Sequence, residues 1–308
     1  MRVTMIGAGY VGLVSGACFA DFGHQVTVID RDAGRVAALN RGEIPIFEPG
    51  LADLVEANFR QGRLEFAAET ARAADAEAVF IAVGTPSRRG DGHADLSFVY
   101  DVVRDIAPVL CGAAVVVTKS TVPVGTGDEI ERILRERRPD ATIEVVSNPE
   151  FLREGAAIQD FKHPDRIVVG TEDARARTVL AEVYRPLYLN AAPILYVGRR
   201  TAELIKYASN AFLATKITFI NEMADLCEQV GADVQDAGPC RSGRAELRTR
   251  SRSTCQINGA SDPSPNTRRS ITSPPPGPRR GNGSAPVAFL RRGRRCAGRR
   301  SPAASLRS

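Results

Sequence analysis

The sequence predicts an α/β fold, a doubly wound parallel sheet followed by one long helix, and three observations carry the prediction. Short apolar runs rich in Val and Ile alternate with stretches of helical spacing as far as about residue 184. A glycine-rich turn, Gly7-Ala-Gly-Tyr-Val-Gly12, joins the first such run to the first helical stretch. Between Arg199 and Val230 the apolar residues Ile205, Phe212, Phe219 and Leu226 recur every seven positions, the repeat of a helix with an apolar stripe.

In chain order, Val3 to Ile6 is a β-rich run, Val11 to Phe22 has helical spacing, and Gln25 to Ile29 is a second β-rich run ending at Asp30. Helical pieces follow near Ala33 to Leu39 and Gly50 to Phe59. Apolar runs at Ala78 to Val83, Ala113 to Thr118, Ile143 to Val146 and Ile167 to Val169 then alternate with helical stretches near 97–107, 126–137 and 173–184. Such alternation places crossover helices on both faces of a sheet and so predicts parallel strands. In the long helix Leu204, Ala208, Ala211, Met223 and Val230 widen the stripe. A stripe of that length calls for a partner surface, and a homodimer through residues 199–230 is the expected one.

Composition divides the chain. Residues 236–308 hold 16 Arg, no Lys and three acidic residues (Asp236, Glu246, Asp262), a net of +13, which leaves 25 basic and 33 acidic residues in 1–235, a net of −8. The basic segment has one aromatic residue, Phe289, and is dense in Pro, Ser, Gly and Arg, with Pro274-Pro-Pro276 in its middle. It offers too little apolar surface to offset the entropy of ordering, and the expectation is disorder. The domains expected are therefore a cofactor domain over 1–198, a long helix over 199–235 and a basic tail over 236–308.

Several classes of function are disfavoured. No apolar stretch reaches the roughly 18 residues of a membrane span, and the N-terminus runs straight into a strand, so a cytoplasmic protein is expected. Six cysteines (18, 111, 227, 240, 255, 296) show no CxxC spacing and no His at metal-ligand distance, which supports neither a disulfide framework nor a metal site. The Arg-rich segment would attract phosphate, but without interleaved aromatics or a binding motif no specific nucleic-acid partner is expected.

The glycine turn carries the cofactor reading. Gly7 permits the tight turn, Gly9 lets backbone approach a pyrophosphate, and Gly12 allows helix and strand to pack closely. Asp30, 18 residues beyond Gly12 at the end of the second strand, suits the adenosine ribose hydroxyls and would repel a 2′-phosphate. The expected cofactor is NAD, with Arg31 and Arg35 leaving some room for NADP. Two later loops fall at strand ends, Val83-Gly-Thr-Pro-Ser87 and Lys119-Ser-Thr-Val-Pro123. Each alone reads more naturally as an ordinary turn.

The most specific run is Ser147-Asn-Pro-Glu-Phe-Leu-Arg-Glu-Gly155, followed by Ala156-Ala-Ile-Gln-Asp160 and Pro164-Asp-Arg166. With the glycine turn, Ile46-Phe-Glu-Pro-Gly-Leu51, the two strand-end loops and Ala202-Glu-Leu-Ile-Lys-Tyr-Ala-Ser-Asn-Ala-Phe212, it makes residues 1 to about 235 resemble the N-terminal half of the UDP-glucose 6-dehydrogenases. Sister dehydrogenases of GDP-mannose and UDP-N-acetylmannosamine are the nearest alternatives. The resemblance implies a Rossmann-like fold and a four-electron oxidation of UDP-glucose to UDP-glucuronate by two NAD, through a cysteine that holds a thiohemiacetal and then a thioester.

By motif, the resemblance implies that Gly7, Ala8, Gly9, Tyr10, Val11, Gly12, Asp30, Arg35, Val83 to Ser87 (Thr85 and Pro86 among them) and Ser120 to Val122 contact NAD. Thr121 and Glu150 would position or activate water. Lys206 and Asn210, four apart on one helix face, would meet the substrate and steady an oxyanion. Glu154 would lie between cofactor and substrate, with Phe151, Leu152 and Arg153 shaping the sugar site. Without the resemblance, Lys206 and Asn210 read as a solvated helix face, Glu150 and Glu154 as a surface acidic pair, and Thr121 as a helix cap.

The resemblance stops just after Gly231-Ala-Asp-Val-Gln235. A Gly-Gly-x-Cys-x-x-Lys-Asp motif does not follow; Cys240 lacks the flanking glycines and the Lys-Asp pair, and Cys227 reads as helix packing. Negligible turnover of UDP-glucose by this chain is therefore expected. An Arg-only segment rich in Pro, Ser and Gly is also what a GC-rich gene yields when read out of frame. A non-catalytic NAD-binding protein is the alternative reading.

Overall fold

The computed structural model describes residues 1–234, apart from 91, 111, 112 and 189–191. The expectation of disorder over 236–308, together with Cys111, Cys240, Cys255 and Cys296, lies outside the described residues.

Strands β1 (Arg2–Ile6), β2 (Gln25–Ile29), β3 (Leu64–Ala67), β4 (Ala78–Ile81), β5 (Val115–Thr118), β6 (Glu144–Ser147), β7 (Ile167–Gly170) and β8 (Ile194–Val197) form one sheet, in the order β3-β2-β1-β4-β5-β6-β7-β8. The first six run parallel. β7 pairs antiparallel with β6 through Ser147 and Gly170, and β8 runs parallel to β7. The expected parallel sheet is thus a mixed one whose last two strands are reversed. An apolar run carries no direction; here the chain between β6 and β7 holds only the short helix α6 (Ala157–Lys162) and returns into the sheet the opposite way.

The other helices are α1 (Tyr10–Asp21), α2 (Ala33–Asn40), α3 (Leu51–Arg60), α4 (Ser97–Ile106), α5 (Thr126–Arg137), α7 (Ala174–Val183), α8 (Arg185–Tyr188) and α9 (Arg199–Val230). β4 and β5 are buried along their whole length, as strands covered on both faces must be. One core cluster joins α1, α3 and α6 to the sheet around Phe19, Phe80 and Phe161, and the second joins α4 and α5 around Val99, Val103, Ile106 and Ile130. The Phe19 ring lies 5.0 Å from Phe80 and meets Phe161 edge-on at 5.2 Å.

α9 meets the sheet near its start, at β7 and β6. A Cβ on Gly170 would fall 2.5 Å from Ala202 Cβ, so a glycine in β7 is what lets the helix lie this close. Arg199 donates to Asp128 and Glu131 of α5 at 2.5 Å each, and Arg200 to Asp128 at 2.6 Å. Hydrogen bonds from Arg200 and then Arg199 hold the Asp128 carboxyl below its usual range. Farther along, Phe212, Leu213, Ile217, Phe219, Ile220 and Leu226 are exposed, while Cys227 is buried. Among the described residues no helix is long and apolar enough to cross a membrane.

Candidate functional site

The strands β1, β2, β4, β5 and β6 all deliver their C-terminal ends to one edge of the sheet, the edge where open α/β sheets hold ligands. Gly7 has φ +106°, and a Cβ there would come within 2.7 Å of Ala82 O. At Gly12 a Cβ would lie 1.8 Å from Gly7 O, an overlap that leaves glycine as the residue that fits. A Cβ on Gly9 would meet nothing within 4 Å. Gly9 also caps α1 without any side-chain hydrogen bond, so the first-turn amides are left for an anion. A closed turn at Gly7 and Gly12 and an open face at Gly9 fit a dinucleotide pyrophosphate.

Asp30 follows β2 and is 8% exposed. Its Oδ2 accepts from Ala8 N at 2.8 Å and from Arg35 Nη1 at 3.1 Å, and its Oδ1 accepts from Asp32 N at 3.0 Å. Arg31 lies over the Phe98 ring at 4.8 Å, so both arginines that favoured a 2′-phosphate have partners. The strand-end loops are cross-linked: Thr85 Oγ1 donates to Thr121 O at 2.9 Å, and Ser120 Oγ to Val83 O at 2.7 Å. Pro86 O accepts from Asp95 N at 2.7 Å. Thr121 caps no helix, because the N-cap of α5 is Gly125.

After β6 the chain turns into the acidic loop. Glu150 Oε2 accepts from its own loop at Leu152 N, 2.5 Å away, and Oε1 accepts from Lys206 Nζ at 3.1 Å. The two side chains are 8% and 13% exposed, Lys206 being the more buried, which overturns both the solvated-face reading of Lys206 and the surface-pair reading of Glu150. The ammonium of Lys206 also lies 5.1 Å from the centre of the Phe151 ring, with Arg166 5.6 Å from the same ring. Leu152 packs against the core. Three named residues stand apart from this pair. Arg153 is bound to Asp160 of α6 at 2.6 Å, Glu154 is exposed, and Asn210 is exposed one turn beyond Lys206.

Three buried charged groups were given no role by the sequence reading. Glu48, in the loop before α3, accepts from Gly155 N and Ala157 N at 2.8 Å each and from the Tyr10 hydroxyl, so a single carboxylate ties the glycine turn to the acidic loop. Burial, then Glu48, raises the Tyr10 phenol above its usual range. Lys119, 3% exposed, donates to Asn148 Oδ1 at 3.3 Å and Tyr184 OH at 3.2 Å, and Tyr184 OH donates to Asn148 Oδ1 at 2.5 Å. Burial pushes the Lys119 ammonium down to about 8. Glu203 of α9, 2% exposed, accepts from Gly125 N at 2.7 Å, Gly127 N at 2.8 Å and Ser147 Oγ at 3.2 Å. It caps α5 from another helix and anchors α9 one turn before Lys206. The signal available for Glu203 was its place three residues before Lys206, on the same helix face as that lysine.

Neither cysteine in the described chain has the setting of a nucleophile. Burial pushes the Cys18 thiol up to about 12, and Cys227 is 7% exposed in the helix. Among the described residues no cluster of three or more His, Cys, Asp and Glu could hold a metal.

Residues 1–188 match the model of the UDP-glucose/GDP-mannose dehydrogenase family, NAD binding domain, and residues 200–242 match the same family's central domain. A UDP-glucose 6-dehydrogenase of Rhizobium meliloti is 68% identical over 239 residues, covering 77% of this chain and 55% of the relative. One from Pseudomonas aeruginosa is 51% identical over 241 residues, covering 77% and 53%. Among solved structures, a GDP-mannose dehydrogenase ternary complex from Pseudomonas aeruginosa superposes with a TM-score of 0.73 at 35% identity, covering 77% of this chain and 55% of that one. A UDP-glucose dehydrogenase from the archaeon Pyrobaculum islandicum gives 0.72 at 42% identity, covering 76% and 54%. The chain thus spans about half the length of the relatives it matches.

Proposed function

Because the chain belongs to the UDP-glucose/GDP-mannose dehydrogenase family and carries its NAD-binding domain, we propose that it binds NAD at the glycine turn and derives from an enzyme that oxidises UDP-glucose to UDP-glucuronate. The carrying observation is the buried Lys206–Glu150 pair at the same sheet edge as the glycine turn and Asp30. UDP-glucose is preferred over GDP-mannose and UDP-N-acetylmannosamine on the wording of the acidic loop and on the names of the two relatives given above.

In this reading Asp30 takes the adenosine ribose hydroxyls, exchanging its Arg35 and Ala8 contacts in part for the ligand's. Ser120 and Thr85 hold the two strand-end loops together beneath the nicotinamide end. Bound NAD supplies the hydride acceptor for the sugar alcohol. Lys206 presents an ammonium to the developing oxyanion. Glu150, hydrogen bonded to that ammonium, orders a water together with Thr121, while Phe151 forms a wall under the Lys206 head. Asn210 and Glu154 reach the sugar once it is bound, and Arg153 fixes the loop through Asp160. We keep as a proposal a division into a cofactor domain to 198, a helical segment from 199 whose helix ends at Val230 rather than at 235, and a basic segment from 236.

A second reading rests on a specific observation. No Gly-Gly-x-Cys-x-x-Lys-Asp motif stands in the 308 residues, so the thioester route to the carboxylate lacks its nucleophile and the chain acts as an NAD-binding protein. The exposed stripe of α9 supports pairing of two copies. The test is calorimetric titration of the purified 308-residue chain with NAD and NADP, followed by incubation with NAD and UDP-glucose. NAD binding without UDP-glucuronate formation is expected. Absence of NAD binding sinks the cofactor reading, and UDP-glucuronate formation sinks the non-catalytic one.

A further inference from the structure

The Lys206–Glu203 side of α9 covers a feature that the proposed chemistry does not use. Thr118 ends β5 and is 1% exposed, and its hydroxyl Oγ1 is buried without a hydrogen-bond partner among the described residues. Its neighbour across the parallel ladder is Ser147, and paired residues in a ladder present their side chains to the same face. Ser147 Oγ donates to Glu203, so this is the face covered by α9. Between them lies a cavity of about 10 Å3 lined by Thr118, Ser120, Ser147, Glu203 and Lys206 among others. That is roughly the volume one water molecule occupies when a cavity holds it.

An unsatisfied buried hydroxyl is costly, and native proteins relieve such groups with ordered water where two to four polar partners converge. The partners here have capacity to spare. Lys206 carries three N–H donors, of which Glu150 takes one. The Glu203 carboxylate has about four lone-pair sites and three donors on it: two backbone amides and the Ser147 hydroxyl. We infer that this cavity is a binding site for a single structural water, which accepts from Lys206 Nζ, donates to Glu203 and pairs with Thr118 Oγ1. The water joins the capped N-terminus of α5 to the Lys206 ammonium and so gives the lysine head a second partner besides Glu150.

The site itself is independent of the proposed reaction; only its consequence for Lys206 rests on that reading. The deciding comparison is Thr118→Val, which exchanges the hydroxyl for a methyl of the same shape, against Thr118→Ser, which keeps the hydroxyl. With a water bound to three partners, Thr118→Val raises the equilibrium unfolding constant by roughly tenfold, because the water loses a partner. In a dry cavity the same change removes an unsatisfied group and leaves stability unchanged or higher, which overturns the inference. A high-resolution crystal structure of the full 308-residue chain reads the site directly. Density within hydrogen-bond distance of Thr118 Oγ1, Lys206 Nζ and Glu203 in the wild type and in Thr118→Ser supports the assignment, and an empty cavity in both overturns it even where Thr118→Val fails to fold. NAD titration of the same samples separates this result from the cofactor reading, since neither outcome at the water site requires a change in NAD affinity.

Discussion

Replacing Lys119 by Met removes a charge from the core while keeping the length of the side chain, and the effect on stability has a pH signature of known sign. Burial holds the ammonium at about 8, against 10.5 for the free side chain. The groups facing it are Asn148, Tyr184, the Phe161 ring, Cys18 and, farther out, Glu150 and Lys206. Because the folded value is the lower one, the unfolded chain binds more protons between pH 8 and 10.5, and stability attributable to Lys119 rises as pH rises through that window. From pH 7 to pH 9 the gain is about 1 kcal/mol by linkage, most of it above pH 8. The Cys18 thiol, pushed up to about 12 chiefly by its own burial, acts in the opposite direction above pH 9; it is present in both proteins, and Lys119 is the smallest of the influences on it, so its contribution largely cancels in their difference. Urea denaturation of wild type and Lys119→Met at pH 7, 8 and 9, followed by far-ultraviolet circular dichroism, gives that difference. The wild type should gain on the variant by about 1 kcal/mol across the series. Parallel pH dependences, or a wild type that loses ground, would refute the reasoning that an uncompensated buried ammonium sits behind the acidic loop.

Gly12→Ala should abolish measurable NAD binding and lower the melting temperature, because the added Cβ overlaps Gly7 O at 1.8 Å and the turn must open to admit it; an unchanged NAD titration would count against the cradle. Glu48→Gln keeps the shape but weakens the three-donor latch, and hydrogen exchange at Gly155 and Ala157 should quicken by about tenfold. Protection that stays at the wild-type level shows that Glu48 does not hold the loop. Glu203→Ala strips the trans cap from α5 and should cost about 1–3 kcal/mol in chemical denaturation; a loss below a few tenths would mean that Arg199 and Arg200 alone dock the helix.

The parts of the fold that were legible in the sequence are those whose cause is local. Ile6, Gly7 and Gly12 stand within one turn of each other, and Asp30 follows a strand whose β-branched residues announce it. The helices α1, α2, α3, α4, α5, α7 and α9 were visible because periodicity needs no partner. β3 was missed: four residues with Glu65 among them, at the sheet edge, leave no continuous apolar run. β8 is only half-buried and carries little signal for the same reason. The reversal at β7 was invisible because it depends on where Gly170 meets Ser147. In the site, Lys206 and Glu150 were legible through the motif resemblance alone, since a lysine on a helix reads as solvated until the partner 56 residues away is known. Glu48, Lys119 and Glu203 were hidden for a related reason. A lone charged residue in a loop or helix looks like surface, and what buries these three is a set of backbone amides and distant side chains that sequence spacing does not encode.

These buried charges divide the described residues into a part held from within and a part that is exposed. Apart from the exposed Glu154, the groups proposed for the cofactor precede Pro123 and are held from within: Asp30 by Ala8 and Arg35, the glycine turn by Tyr10 and Glu48, the strand-end loops by Ser120 and Thr85. Lys206 and Asn210, proposed for the sugar, lie on α9, whose polar anchors among the described residues include Arg199, Arg200, Glu203 and Lys206, all within its first eight residues. Beyond them Phe212, Leu213, Ile217 and Phe219 are more than half exposed, an apolar face of the kind that marks an interaction site. Asn210 lies at the boundary between the two stretches. Its distance from any described partner of Lys206 is therefore a property of the helix: the first turns are positioned by the cofactor domain, and the next are left for whatever covers the stripe. Cofactor affinity should then be set by residues whose positions do not change when the stripe is covered, whereas the geometry at Asn210, and with it any sugar selectivity, should follow the state of α9.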